Sequence, residues 1–174
     1  SILGLTTVAG INEVSTDYQH VTGTLNRADV LASDLIAGMN QQAAALRGFI
    51  ITGSDAMIQE FNNGALAADK TIAELRNIKL NESELSRIGE LASARQNYGV
   101  VFEKVRGLMK ADDRSEAERI AKIEGNPLVE QVAVMAITFK ATTMMDARNG
   151  LEKVQAKADR IVRYTYAAIA IALA

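Results

Sequence analysis

The sequence predicts an all-α protein, an up-down-up-down four-helix bundle with long first and last helices. Three observations carry this reading. Alanine occurs 28 times in 174 residues, against 12 Gly and 1 Pro, so the strongest helix former is abundant and the two strongest breakers are scarce. Apolar residues recur in alternating steps of three and four over stretches longer than an ordinary globular helix. The breaks between these stretches are short, which makes neighbouring helices antiparallel. With 48 % apolar and 5 % aromatic residues, one domain of ordinary size is expected.

The first helix is read on the stripe Ile11, Val14, Tyr18, Val21, Leu25, Ala28, Ala32, Leu35, Met39, Gln42, Leu46 and Phe49, a heptad seam that would run on the order of 60 Å. It should stop near Thr52-Gly53-Ser54-Asp55, where Gly53 suits a left-handed C-terminal position and Ser54 can cap the next helix. The second helix carries Ile58, Phe61, Ala65, Ala68, Ile72 and Leu75 on one stripe. Asn81-Glu82-Ser83-Glu84 has the spacing of a capping box and opens a third helix, whose stripe is Leu85, Ile88, Leu91, Ala92, Arg95, Tyr98, Phe102, Val105 and Met109. A short helix from Ser115 to Ile123 precedes Gly125-Asn126-Pro127, where the proline suits the first turn of a last helix. That helix is read to the chain end on the stripe Ile137, Ala141, Met144, Arg148, Leu151, Gln155, Ala158 and Val162.

Composition excludes several functions. There is no Cys, and His20 is the only histidine, so disulfides, thiolate nucleophiles and ordinary zinc or haem sites are out, and a Ser-His-Asp triad would depend on His20. No enzyme, metal or cofactor is expected. With 19 basic and 21 acidic side chains the net charge is -2, which gives no footprint for nucleic acid.

The ends of the chain have a different character. After Arg160 and Arg163, the run Tyr164 to Ala174 carries no charge, like the interfacial start of a membrane helix. The start is uncharged up to Glu13 and lacks the basic region of a signal peptide. Residues 1–10 are therefore read as the end of a first transmembrane helix or its exit, 11–163 as the bundle, and 164–174 as the start of a second transmembrane helix. The alternative is a pair of amphipathic termini packed on each other or on a neighbouring chain.

The nine residues Arg47-Gly48-Phe49-Ile50-Ile51-Thr52-Gly53-Ser54-Asp55 are similar to the signature that closes the first helix in CHASE-type bundle sensors. The whole pattern resembles the extracytoplasmic sensor domain of bacterial methyl-accepting chemotaxis receptors and related sensor kinases. What the resemblance implies is a dimeric module at the bacterial inner membrane, in the periplasm or outside the cell. It would sense a small molecule or a partner protein and shift the last helix relative to the first. The runner-up is a structural or dimerisation bundle of a sensor kinase with no small-molecule ligand. A secreted or membrane-surface helical protein, docking its apolar ends on lipid, comes third.

A ligand site in a bundle needs polar residues that interrupt apolar stripes. Gln42, Arg95, Arg148 and Gln155 are such interruptions. Depth along the helices separates them: Gln42 and Arg95 fall in the membrane-distal part together with Arg47 and Thr138, whereas Arg148 and Gln155 lie nearer the membrane. The expected ligand site is Arg47, Gln42, Arg95 and Thr138, with Arg47 as the anchor for a ligand that carries a carboxylate. Two structural alternatives stand beside it: an internal ion pair of Arg95 with Asp69 that fixes helix register, and a cap contact of Arg47 to loop carbonyls. Met39, Met135, Met144 and Met145 are read as core fillers rather than metal ligands. The first-helix residues Ile11, Val14, Tyr18 and Val21 extend below the shorter helices, which predicts a homodimer through that seam.

Overall fold

The computed structural model describes residues 2–78 and 82–173, with side chains for 10–19, 21–24, 26–78, 82–167 and 169–170. Its elements are α1 (Ile2–Thr52), α2 (Asp55–Arg76), α3 (Glu82–Lys110), α4 (Arg114–Ile120), a π-helical turn (Ala121–Gly125) and α5 (Asn126–Leu173). The described residues are helical apart from the short connections. The chain divides into two compact units, residues 1–27 with 142–174 and residues 28–141.

Residues 28–141 form a helical bundle around one hydrophobic core. From α1, Ala28, Ala32, Leu35, Met39, Leu46 and Phe49 are buried, the stripe that the sequence predicts. Phe61, Ala68, Ile72 and Leu75 of α2 meet Ile88, Leu91, Tyr98, Phe102 and Val105 of α3, and α5 adds Val132, Ala136 and Phe139. Two predicted stripes need correction. At the start of α3, Glu84 is buried and Leu85 is 44 % exposed, so the stripe begins at Glu84 instead of Leu85 and then runs through Ile88, Leu91, Tyr98, Phe102 and Val105 as expected. In α5, Ile137, Met144 and Val162 are more than half exposed, while Val132, Ala136, Phe139 and Thr143 face inward. A five-residue π turn joins α4 to α5. The amide of Asn126 donates to the carbonyl of Ala121, five residues back, so one residue is inserted just before Pro127. That wide turn also absorbs the proline, and the helix continues where a break was expected.

The helix ends follow the sequence closely. Gly53 has φ +65°, and its amide donates to the carbonyl of Phe49 at 2.7 Å, which is the single-bond left-handed ending of α1. The Ser54 side chain then accepts from the Ala56 amide as the cap of α2. α3 ends with Asp112 at φ 58°. There the Asp113 amide donates to the carbonyl of Leu108 and the Asp112 amide to that of Met109, a Schellman ending with Asp in the usual glycine place. The expected cap Asn81 lies outside the described residues, as do the side chains of His20 and Leu25.

In the other unit, Lys157 of α5 reaches Glu13 at 2.6 Å and Asp17 at 3.1 Å on α1. A Cβ placed on Gly150 would stand 3.3 Å from Val21 Cγ2, and one on Gly10 would stand 2.9 Å from Ile161 Cδ1, so small residues let the two helices approach closely. One flank of this pair is a groove of about 480 Å³ lined by Ile11, Val14, Ile161, Val162, Tyr166 and Ile169, among others. By length and composition, the helical stretch 114–167 contains a window apolar enough to cross a membrane, with mean hydropathy 1.2. Of the expected membrane segments, the side chains of residues 1–9, 168 and 171–174 lie outside the described residues.

Candidate functional site

The four residues singled out from the sequence all belong to the 28–141 unit, and each has its own environment. Gln42 sits where α1 and α2 cross on glycine. A Cβ on Gly64 would come within 2.9 Å of the Gly38 carbonyl oxygen and 3.0 Å of Gln42 Cγ, so only glycine permits the contact. Gln42 is 0 % exposed. Its Nε2 donates at 3.4 Å to the Gly38 carbonyl and lies 3.5 Å from Met39 Sδ, and its Oε1 is buried with no hydrogen-bond partner. An amide held this poorly costs the bundle stability.

Arg95 makes the ion pair read as its structural alternative, with Nη2 2.8 Å from Asp69 Oδ2. The Arg95 side chain is 13 % exposed and Asp69 54 %, so the pair joins a half-sheltered guanidinium on α3 to a carboxylate near the surface of α2. Its Nε is buried and unpartnered. Arg47 is exposed, and among the described residues its guanidinium makes no hydrogen bond or ion pair that would act as a helix cap. Its charge does reach Tyr98, where it opposes the effect of burial, but desolvation wins and pushes the phenol up to about 12. Thr138 is exposed and its hydroxyl donates to the Val134 carbonyl at 2.8 Å, a common back-bond within a helix. The structure therefore separates the four: Gln42 and Arg95 serve the interior, while Arg47 and Thr138 face outward.

A different group of side chains does converge. At the end of the 28–141 unit where α1 turns into α2, a cavity of about 340 Å³ is lined by Phe49, Gly53, Asp55, Ile58, Arg106, Met109 and Lys110. Its apolar wall is firmly held, because Phe49 packs on Phe102 with ring centroids 5.8 Å apart and Phe102 stacks on Phe61 at 3.8 Å. Arg106 Nη1 bonds Glu103 at 3.1 and 3.2 Å, and its Nε is buried without a partner. Asp55 and Lys110 are exposed and make no ion pair among the described residues. Sequence reading missed these residues because charges at helix ends look like ordinary solvated groups. The signal available was the four-residue spacing of Arg106 and Lys110, on a helix that the sequence ends before Asp112-Asp113 and the structure ends at Lys110.

Comparison with known proteins agrees with the architecture. The family model described as the CHASE3 domain matches residues 22–152. A solved structure described as the periplasmic sensor domain of a sensor histidine kinase superposes with a TM-score of 0.66 at 12 % identity, covering 77 % of this chain and 94 % of that one. No curated protein sequence gives a match.

Proposed function

This chain belongs to the CHASE3 domain family, and we propose that it is the non-catalytic, extracytoplasmic sensor domain of a transmembrane receptor at the bacterial inner membrane. Its helices would run up-down-up-down, with residues 1–10 and 164–174 at the membrane. The 28–141 bundle would meet a small molecule or a partner protein, and α5 would carry the change onward relative to α1. The observation that supports this reading is that α1 and α5 each contribute residues to both compact units, and each helix would carry a change from the sensing part toward the membrane. The solved structure of similar fold carries a periplasmic sensor description, which supports the location. Among the four residues expected at the site, Arg47 keeps an exposed cation without an ion pair among the described residues and stays the candidate for contact with an anionic ligand or partner surface.

We further propose a homodimer through the flank of the α1–α5 pair. Ile11 at 56 %, Tyr18 at 54 %, Val162 at 51 % and Tyr166 at 71 % exposure form an apolar face that a second copy would cover. A purely structural bundle with no small ligand is the second reading. It is favoured by the use of Gln42 and Arg95 in the interior.

The test uses the absence of cysteine in this sequence. In the full-length protein in native membranes, the pair Val21→Cys and Gly150→Cys should form a disulfide on oxidation, because a Cβ at Gly150 stands 3.3 Å from a Val21 methyl. If α5 moves along or about α1 during signalling, the crosslink should change the output and a reductant should restore it. An output that is the same with the pair fully crosslinked and fully reduced would overturn the transmission step.

A further inference from the structure

We propose that the cavity at the α1–α2 turn binds a small zwitterion with an apolar body, of the chemical class of the aliphatic α-amino acids. The assignment rests on the sensor reading for its purpose and on the side chains of the cavity for its chemistry. The lining supplies two cations, Arg106 and Lys110, and one anion, Asp55. Glu103, bonded to the outer nitrogen of Arg106, brings the charges of the site to a balance of two and two. A site that is neutral overall but has separated poles favours a ligand that is itself neutral overall with separated poles. A phosphate or a dicarboxylate would bring an excess of negative charge against Asp55 and Glu103.

The positions of the groups assign the poles. Arg106 has its Nε donor buried and unused, and a guanidinium with one edge tied to Glu103 can offer the remaining N–H groups to a ligand carboxylate. A carboxylate in the cavity meets the accessible N–H groups of this guanidinium beside the apolar wall, where a charge-assisted bond gains more than the same contact made in water. Lys110, four residues on and one turn along the same helix face, adds attraction for the same group. Asp55 lies on the opposite element, at the start of α2, and takes the ammonium. Phe49, Ile58 and Met109 line the remainder and take an aliphatic chain. Phe49 is 4 % exposed and fixed by Phe102, so this wall is rigid, while Met109 can adapt to the chain. The left-handed Gly53 turn sets where Asp55 stands against α3. The lining is separate from Arg47, so the two sites can be tested apart.

The experiment is calorimetric titration of the 174-residue chain with L-norleucine, beside hexanoate, which lacks the ammonium, and pentylamine, which lacks the carboxylate. Norleucine should bind, hexanoate several-fold more weakly, and pentylamine at least tenfold more weakly. Arg106→Gln should lower norleucine affinity at least tenfold. Asp55→Asn should lower it several-fold without weakening hexanoate. Lys110→Gln, at an exposed position, is the second variant should Arg106→Gln fail to fold, and it should lower norleucine affinity about threefold or more. No heat of binding with norleucine up to millimolar concentration would overturn the proposal. So would hexanoate binding as tightly as norleucine, or unchanged norleucine affinity in the folded variants. The titration needs neither membrane nor signalling output, so a failed sensor reading leaves its result standing, and a failed titration leaves the crosslinking test intact.

Discussion

Gln42→Met should make the bundle more stable, and the size of the gain follows from the environment of the amide. Gln42 is 0 % exposed, its Oε1 has no hydrogen-bond partner, and its Nε2 has only a long 3.4 Å contact to a carbonyl of its own helix and a sulfur at 3.5 Å. Burying a carbonyl unsatisfied costs about 1 to 3 kcal/mol. Met has nearly the same length, no polar demand and enough flexibility to fit between Gly38 and Gly64, so repacking should return less than about 1.5 kcal/mol of that. The expected net gain is about 1 to 2 kcal/mol. For a chain of this size that is an increase in Tm of roughly 2 to 8 °C. Calorimetric melting of the parent and the variant at pH 7, with guanidinium unfolding as a second measure, reads it directly. A variant destabilised by more than about 1 kcal/mol would refute the reasoning, because the amide would then be making bonds that hold the fold.

Four further outcomes are expected. Gly64→Ala should lower stability by about 1 to 2 kcal/mol, since its Cβ would stand 2.9 Å from a backbone oxygen and overpacking outweighs the gain in helix propensity. Gly89→Ala on α3, where a Cβ meets nothing within 4 Å, should instead gain about 0.5 to 1 kcal/mol, and equal melting shifts for the two alanines would contradict the tight crossing. Tyr98 has its pKa raised from 10.0 to about 12, so the unfolded state releases its proton first and stability should fall as pH rises through that window. The loss is at most about 2 to 3 kcal/mol, it should be complete only above the folded value, and denaturant titration of Tyr98→Phe should lack it. If the proposed dimer forms, Val14→Glu should weaken it in sedimentation equilibrium far more than Arg27→Glu, and equal effects would count against the seam.

The parts of the fold that were legible share one property: an apolar pattern with one phase and a clear stop. The α1 stripe from Ala28 to Phe49 is buried as read, because its steps of three and four continue without interruption to the Gly53 turn. The Arg95–Asp69 pair was legible for a similar reason, since both residues could be counted to one level along helices expected to be antiparallel. α5 was harder. It has apolar residues on two faces, Phe139 inward and Ile137 and Met145 outward, and periodicity alone does not say which face meets the core. Thr138 shows the cost of this for the site: depth along a helix places a residue on a level but not on a side. The cavity with Arg106, Lys110 and Asp55 needed the meeting of two helix ends, which lie far apart in the sequence.

A sensor of this kind requires the bundle to lie outside the cytoplasm, and one labelling measurement tests that. Asn62 is exposed on α2, and the sequence has no cysteine of its own, so Asn62→Cys gives this domain one accessible thiol. In cells that produce the full-length protein, a maleimide reagent that cannot cross the inner membrane should modify this thiol before lysis to the same extent as after it. A thiol that stays unmodified in intact cells and reacts fully once the inner membrane is opened would contradict the extracytoplasmic sensor.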